Sequence, residues 1–152
     1  MAKRPHFDGI IISHLGNVAG RQPEKENKLA YVQAALKAGW HVLIDVQFHN
    51  GGFYLPHANG FDRIPPAFLS KQRIWARTNN AETIDALCNI GAHVLIAAPD
   101  PFVLTSAQFI WTLPNYPLAP RSIAAYPELA EPGWLDPYEP AGMCSNEPQT
   151  YV

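Results

Sequence analysis

Four side chains suited to acid–base or metal chemistry occur where segments of the sequence begin or end. His14 closes the apolar run GIIISH, Asp45 closes WHVLID, His57 closes FYLPH, and Glu26 precedes a helical pattern. Carboxylates are preferred ligands of Mg²⁺ and Ca²⁺, and a bound cation neutralises phosphate charge. Two histidines can accept and donate the protons exchanged in ester cleavage. If the fold brings them together, the set predicts metal-assisted phosphodiester cleavage, with the histidines as catalytic groups and the two acids as metal ligands.

Each of these residues also has a structural explanation. Glu26 at the start of a helix is favoured by the helix dipole alone. Asp45 at the end of a strand is equally compatible with a capped or paired carboxylate, and His57 follows Pro56 in a segment of ambiguous role. The sequence contains neither a glycine-rich phosphate loop nor the Gly-x-Ser-x-Gly turn of serine hydrolases, so dinucleotide binding and that acyl-transfer chemistry are disfavoured.

An internal repeat distinguishes positions with a structural role from the position where a functional residue is expected. Residues 39–45 (GWHVLID) and 91–97 (GAHVLIA) share the pattern Gly-x-His-Val-Leu-Ile, and each follows a helical pattern that ends at the glycine. Because both copies keep the histidine at the start of the strand, His41 and His93 are expected to be structural. Only one copy ends in a carboxylate, Asp45, where the other has Ala97, so the position after the isoleucine is where a site is expected.

The alternation of apolar strands with helical segments predicts an α/β fold with a mainly parallel sheet. Asn79, with Glu82 three residues later, is expected to cap the second long helix. A closed or partly closed βα barrel is one solution, and an open doubly wound sheet is the other. In a barrel, functional side chains lie where the strands end, which is where His14 and Asp45 occur.

Composition limits the function classes. The chain has 152 residues, 47% apolar residues and a net charge near −2, without a basic stripe, which predicts one globular domain and argues against nucleic-acid binding. The two cysteines form no metal-type pair and are expected as free thiols. No apolar run is long enough to span a membrane, and MAKRPHFDG lacks the core of a leader peptide, so a cytoplasmic protein is expected.

The C-terminal composition predicts a boundary. From Glu128 onward the sequence is acidic, rich in proline and free of lysine and arginine. We therefore expect a barrel domain at 1–128 and a tail at 129–152 that is either disordered or draped on a surface. Eight βα units usually need about 200 residues or more. A barrel this short should leave a gap, which we expect the tail or a second subunit to cover.

The stretch ISHLGN…PEKENKLAYVQAALKAGWHVLIDVQFHNGGFYLPHA resembles the opening of glycerophosphodiester phosphodiesterases and their phosphatidylinositol-phospholipase-C-like relatives. In that family a strand ends in His-Arg-Gly, a loop carries Glu-Asn, the next strand ends in Glu-x-Asp and a hairpin ends in His-Asp. Residues 10–128 resemble a short, mostly uncharacterised branch of the superfamily. The resemblance implies an abbreviated TIM-type barrel, a phosphodiester small molecule or lipid head group as ligand, and Mg²⁺ or Ca²⁺ as cofactor.

The family's site maps only in part onto this sequence. The resemblance places His14 and His57 at the two catalytic histidines, Glu26 at the metal-binding loop glutamate and Asp45 at the second acid of Glu-x-Asp. The departures are Leu15 at the phosphate-binding arginine, Leu43 at the first acid of Glu-x-Asp, and Ala58 at the acid after the second histidine. Arg77, on a later strand and nearest the rim, is a candidate phosphate-binding replacement. Loss of general-acid or general-base help alone costs about 10²–10⁴-fold in rate.

Three hypotheses follow from the retained and altered positions. The first is a divalent-metal-dependent phosphodiester hydrolase of the glycerophosphodiester type. The second is a catalytically degenerate barrel that serves as a structural or interaction subunit, as a homo-oligomer or in a larger complex through its tail. The third is a module that binds a phosphorylated small ligand without turnover.

Overall fold

A computed structural model describes residues 7–152. Residues 1–6, which include His6 and most of the segment judged not to be a leader, lie outside the described residues. The strands are β1 (Ile10–His14), β2 (His41–Asp45), β3 (Gln47–His49), β4 (Gly52–His57), β5 (Gly60–Ile64), β6 (Ile74–Thr78), β7 (His93–Ile96), β8 (Phe102–Leu104), β9 (Ile110–Thr112), β10 (Ser122–Ala125) and β11 (Gly142–Ser145). The α-helices are α1 (Leu29–Lys37), α2 (Pro66–Leu69) and α3 (Ala81–Asn89), and single 3₁₀ turns span Pro127–Leu129 and Pro148–Tyr151.

Eight strands form one curved sheet in the order β7-β6-β2-β1-β11-β10-β9-β8. All neighbours are parallel except β8 and β9, which are antiparallel. The two ends approach each other, since Ser106 donates from its backbone N–H to the carbonyl of Val94 (3.0 Å) and accepts from the Val94 N–H at its hydroxyl (2.7 Å). The α/β, mainly parallel prediction is therefore confirmed, and the sheet is a nearly closed barrel rather than an open doubly wound one.

The expected tail is part of this sheet. β11 lies between β1 and β10 and pairs in parallel with both, with Met143 opposite Ile11 on one side and Ala124 on the other. The expected boundary at residue 128 therefore does not separate the segment from the barrel. The composition of 129–152 misled because its proline-rich, acidic stretches flank a four-residue strand, GMCS, that is buried throughout.

Apolar side chains fill the barrel and cover its outer face in two different ways. The interior holds the buried cluster Ile12, Leu43, Trp75, Leu95, Trp111, Ile123, Ala125 and Cys144. Outside β2, β6 and β7, the three helices pack on a second cluster through residues such as Val32, Phe68 and Leu87. Outside β10 and β11 there is no helix among the described residues. Instead Leu118 and Leu135 are buried there on Ala124 and Met143, with Trp134 and Tyr138 beside them.

The C-terminal segment thus supplies both a strand and a cover. This is how the chain nearly closes a barrel with few helices. Of the two covers expected for the gap, the tail and a second subunit, the C-terminal segment lies in the sheet between β1 and β10. The remaining gap lies between β7 and β8, which do not pair as strands. The residues after β8 are joined to β7 by the Val94–Ser106 hydrogen bonds and by the contact of His93 Nε2 with the Thr105 hydroxyl (2.7 Å). On β8, Phe102 and Leu104 are 48% and 64% exposed, so this part of the outer face is not covered by the described chain.

The two copies of the repeat flank β6. Gly39 and Gly91 adopt left-handed φ values of 102° and 72° after their helices, a conformation that glycine adopts without strain. The following histidines then contact one indole in the barrel interior. The indole N–H of Trp75 donates to His41 Nδ1 (3.1 Å), and the ring of His93 lies 4.0 Å from that of Trp75. Both histidines are therefore packing residues at the start of their strands.

One local expectation differs from the structure. The cap of α3 is Asn80 rather than Asn79, since the Asn80 side chain accepts from the backbone N–H of Thr83 (2.9 Å). After His57 the chain forms β5 and α2, and β5 extends the β3–β4 hairpin to a three-stranded antiparallel meander, β3-β4-β5. Cys88 and Cys144 are free thiols. None of the helices within residues 7–152 combines the length and apolar character needed to cross a membrane.

Removal of residues 141–152 should abolish cooperative unfolding. The deletion strips the central strand from between β1 and β10, which exposes two parallel edges and opens the interior cluster to water. We expect loss of the near-ultraviolet circular dichroism signal and of a sigmoidal urea transition. Removal of Val152 alone, which is 66% exposed, is the matched control and should have no effect. A truncated chain that still unfolds cooperatively would contradict the role given to β11.

Stability should fall between pH 7.5 and 5 through His93. Burial, with a contribution from His41, lowers the pKa of His93 to about 4, while in the unfolded chain it is about 6.5. A lowered folded-state pKa means that the stabilisation is complete above pH 6.5 and is lost as the pH falls towards 4. After allowance for solvent screening we expect a loss of about 1–2 kcal/mol by pH 5.

Urea unfolding at both pH values, with His93→Gln and the exposed control His49→Gln, measures this contribution. His93→Gln should reduce the loss of stability on acidification and His49→Gln should not. Equal pH dependence in the wild type and His93→Gln would show that His93 is not its source.

Candidate functional site

Polar side chains converge at the carboxyl ends of β1, β2 and β6, which are adjacent in the barrel. Asp45 and Arg77 are register partners on β2 and β6, and His14 ends β1 beside them. Arg77 donates from Nε to Asp45 Oδ1 (2.7 Å) and from Nη2 to Asp45 Oδ2 (3.2 Å). Its Nη1 donates to the hydroxyl of Tyr126 (3.1 Å), and its Nη2 lies 3.4 Å from His14 Nε2. We call these four residues the mouth cluster.

Burial and mutual charge set the ionisation of the mouth cluster. Burial, together with the positive charge of Arg77, lowers the pKa of His14 below its ordinary value, so the imidazole is neutral at pH 7. Burial alone would lower the pKa of Arg77, but the hydrogen bonds and charge of Asp45 outweigh it and raise that pKa. Burial raises the pKa of Tyr126 to about 12, so its hydroxyl keeps its proton. The cluster is therefore one ion pair with two neutral groups.

Backbone strain accompanies the cluster. Tyr126 follows β10 with a left-handed φ of 55°, and Leu15 follows β1 with a φ of 58°. Such values are uncommon for residues with a side chain and cost free energy that the surrounding contacts must offset. At Tyr126 the contact is the hydrogen bond to Arg77, and at Leu15 it is the backbone bond to the Leu43 carbonyl (2.9 Å).

Glu26 lies behind the mouth cluster and is fully occupied. Its Oε2 accepts from the Asn17 amide (2.9 Å) and from Arg21 Nε (3.2 Å), and its Oε1 accepts from Arg21 Nη2 (3.1 Å). The backbone N–H of Gln22 donates to Oε2 as well (3.2 Å). Burial alone would raise the pKa of Glu26, but the hydrogen bonds from Arg21 and Asn17 outweigh it and lower the pKa.

Asn27 attaches this loop to β2 and to the meander. Its side chain donates to the backbone carbonyls of Asp45 (2.9 Å) and Pro56 (2.8 Å) and accepts from the Asp45 N–H (3.0 Å). Because Asn27 is 3% exposed, these bonds replace contacts with water rather than compete with them. These hydrogen bonds fix the backbone of Asp45. They therefore also fix the position of its carboxylate relative to Arg77.

His57 is not joined to the mouth cluster by any contact in the described chain. It ends β4, in the meander, where its Nε2 lies 3.3 Å from Asp62 Oδ1. The two atoms are close enough for an ion pair when the ring is protonated, but their alignment does not make a hydrogen bond, which leaves the buried Nε2 without one. His57 Nδ1 accepts from the Asn59 N–H (3.2 Å). Of the five predicted site residues, three are brought into direct contact, Glu26 lies behind them and His57 lies apart.

The predicted Mg²⁺ or Ca²⁺ site does not fit this arrangement. Among residues 7–152 no group of three or more histidine, cysteine or acidic side chains is placed to hold a cation together. Asp45 gives both carboxylate oxygens to Arg77, and Glu26 gives both of its oxygens to Arg21 and other donors. Leu43, where the resemblance implies a further acid, is completely buried in the barrel interior. The guanidinium of Arg77 thus occupies the carboxylate oxygens of Asp45 that a cation would need as ligands.

An open cleft of about 700 Å³ adjoins the mouth cluster. Asp45 and Arg77 line it together with β3 and the residue before it, with the end of β6, the loop after it and the first turn of α3, and with two further residues. These are Val46, Gln47, Phe48, His49, Thr78, Asn79, Asn80, Glu82, Thr83, Pro56 and Ala97. The two copies of the repeat differ at the residue that lines this cleft, which is an aspartate in one copy and an alanine in the other. Asp45 pairs with Arg77, whereas Ala97 leaves space on the other side of β6.

Three polar residues of the site were missed from the sequence. Tyr126 belongs to the mouth cluster, and Asn17 and Asn146 connect it to Glu26. The signal was available for Tyr126, since it directly follows the strand SIAA. Asn146 also directly follows a strand, but the assignment of 129–152 to a tail removed it from consideration.

The Arg77–Asp45 pair should be energetically coupled. A double-mutant cycle with Arg77→Met and Asp45→Asn should give a coupling free energy of about 1–3 kcal/mol in urea unfolding, because the guanidinium is mostly buried and is paired with the Asp45 carboxylate. The exposed Glu82 in the same cleft provides the control, since Glu82→Gln should not couple to Arg77→Met. Additive effects of the two mouth substitutions would show that the pair is no stronger than a surface contact.

Comparison with known proteins identifies no relative: no family model, curated protein or solved structure matches this chain.

Proposed function

We propose that this chain is a barrel of the glycerophosphodiester phosphodiesterase type that binds the phosphate group of a phosphodiester at its mouth. The observation that carries the proposal is the position of Arg77, a guanidinium beside a neutral histidine at the carboxyl end of a nearly closed parallel barrel. This is the end of such a barrel where ligands bind. Arginine matches the geometry of phosphate oxygens, and here its positive charge takes the place of a metal ion.

The hydrogen bonds of Arg77 limit how a phosphate could bind. A guanidinium has five N–H groups, of which those on Nε and Nη2 face Asp45 and His14 and one on Nη1 faces Tyr126. One N–H on Nη1 therefore remains for a ligand. More become available only if the carboxylate of Asp45 moves away from Arg77. The carboxylate of Asp45 also reduces the attraction for an anion. Binding of a simple phosphodiester is accordingly proposed to be weak, with a Kd of about 1 mM.

His14 is the proposed proton acceptor. A neutral imidazole next to a bound phosphate can deprotonate an attacking hydroxyl or water. The second histidine of the proposed chemistry, His57, is paired with Asp62 in the meander instead. Without a proton donor for the leaving oxygen, turnover should be slower by about 10²–10⁴-fold than with a complete acid–base pair. No step of this mechanism uses a metal ion.

A second candidate function is supported by the outer face of the barrel. Ile96 at the end of β7 and Phe102 and Leu104 on β8 are 43%, 48% and 64% exposed, and no α-helix of the described chain packs on β8 as α3 packs on β7. Exposed apolar side chains grouped on one face are typical of protein contacts. The degenerate barrel that serves as an interaction subunit is therefore the alternative, and it predicts self-association or a protein partner in place of phosphodiester binding.

A binding and turnover screen with a generic glycerophosphodiester distinguishes the two candidates. We expect weak binding by ³¹P spectroscopy that is unchanged by EDTA, is weakened roughly tenfold or more in Arg77→Met, and is partly kept in Arg77→Lys because the charge remains. Slow hydrolysis, if detected, should be lost in His14→Ala and kept in the control Gln72→Ala, which changes an exposed residue of the loop before β6, outside the cleft.

Two outcomes would contradict the proposal. Binding that requires Mg²⁺ or Ca²⁺ would show that a metal site forms after all. No binding at millimolar ligand, together with a dimer in sedimentation that dissociates in Phe102→Ser and Leu104→Ser, would favour the interaction subunit.

A further inference from the structure

His14 stands at one end of a line of side chains that begins at Glu26. Oε2 of Glu26 accepts from Nδ2 of Asn17 (2.9 Å). The same Nδ2 donates its other hydrogen to Oδ1 of Asn146 (2.9 Å), and that oxygen lies 2.8 Å from Nδ1 of His14. The line joins the loop after β1 to the end of β11 and then returns to the end of β1.

The orientation of the first amide is fixed from both sides. An ionised carboxylate only accepts hydrogen bonds, so Asn17 must turn its NH₂ group towards Glu26. On its other side, Oδ1 of Asn17 accepts from the hydroxyl of Tyr31 (3.0 Å) and from the backbone N–H of Gln22 (3.3 Å). Asn17 is completely buried, so a flipped amide would leave several groups unpaired at once.

The orientation of the second amide and the tautomer of His14 follow. Because the NH₂ of Asn17 faces Asn146, Asn146 must present its oxygen there, and that oxygen can only accept from His14. Nδ1 of His14 therefore carries the hydrogen. The opposite nitrogen gives the same answer independently: Nε2 faces Nη2 of Arg77 (3.4 Å), and arginine has no acceptor, so Nε2 must bear the lone pair.

We propose that Glu26, Asn17 and Asn146 are positioning residues that hold His14 in the Nδ1–H tautomer, with the Nε2 lone pair at the barrel mouth beside Arg77. In this role Glu26 acts on the site through two amides rather than through a metal ion. The tautomer is a property of the free protein, whereas its use as a proton acceptor rests on the proposed function.

The tautomer also limits what can contact His14. Nε2 accepts and does not donate, and its one lone pair already faces Nη2 of Arg77 (3.4 Å). A group that meets Nε2 must therefore bring a hydrogen, as a hydroxyl or water does, and must displace that N–H of Arg77. A phosphate oxygen without a proton would be repelled by the lone pair and would be directed to Arg77. His14 and Arg77 therefore bind different parts of one ligand: His14 contacts a hydroxyl or water, and Arg77 contacts a phosphate oxygen.

Long-range ¹H–¹⁵N correlation spectra of the full chain with ¹⁵N-labelled histidine test the proposal at pH 7.5. His14 is identified by the signals that disappear in His14→Gln. We expect the pattern of a protonated Nδ1 and an unprotonated Nε2. A protonated Nε2 in the wild type, or an imidazolium at this pH, would overturn the proposal.

Substitutions along the line test the positioning role itself. Asn17→Asp places an oxygen where the NH₂ was, so Asn146 should turn and present its NH₂ to both neighbours, which shifts His14 towards the Nε2–H tautomer. Asn146→Leu has a similar volume and no acceptor, and should give a mixture of tautomers. Asn89→Asp, the same change at an exposed position of α3, is the control and should leave the spectrum unchanged.

The variants remain informative if one does not fold. Should the Asn17→Asp substitution, at a buried position, prevent folding, the wild-type and Asn146→Leu spectra decide. An unchanged Nδ1–H pattern in folded Asn146→Leu would refute positioning by Asn146. Failure of phosphodiester binding would leave these spectra unaffected, so the two proposals fail by different observations.

Discussion

The insertion of β11 between β1 and β10 is the constraint on which the rest of this structure depends. In this nearly closed barrel every strand except β7 and β8 is paired on both sides, and residues 7–152 hold only three α-helices with which to cover parallel strands. The last strand completes the order, and the segments on either side of it bury Met143 and Ala124 from outside. Closure of the barrel therefore depends on residues that are far apart in the sequence. β11 must pair with β1 before the interior cluster is buried.

The same insertion builds the site. β11 ends at Ser145, and the next residue, Asn146, contacts His14 at the end of β1. Strand pairing thus determines which polar side chains come together at the mouth. The need of Arg77 for a counterion then determines how these side chains are arranged. A mostly buried guanidinium needs a counterion, and Asp45 on the neighbouring strand supplies it in a two-bond contact. His14 and Tyr126 then remain neutral because burial disfavours their charged forms.

Pairing within the protein explains why the retained acids do not offer the free oxygens that the expected cation site would need. Glu26 and Asp45 are both present, but each is bound to an arginine, Arg21 and Arg77 respectively. The sequence gives no indication of such pairs because Arg21 lies in a loop and Arg77 on a separate strand. Of the predicted site, the contact of His14, Asp45 and Arg77 followed from the rule that parallel strands end at one rim. His57 did not join them because β5 continues the hairpin and supplies Asp62 as its partner.

The sequence by itself determined the local elements. Apolar runs of four to five residues, glycines after amphipathic segments and the repeated Gly-x-His pattern specify β1, β2, β6, β7, α1 and α3, since these depend on neighbours a few residues away. Only the tertiary structure decided the place of β11, the cover it brings, and the hydrogen-bond line from Glu26 through Asn17 and Asn146 to His14. A four-residue strand among prolines carries almost no local signal. Its free energy comes from two neighbouring strands that are distant in sequence, so composition alone could not place it.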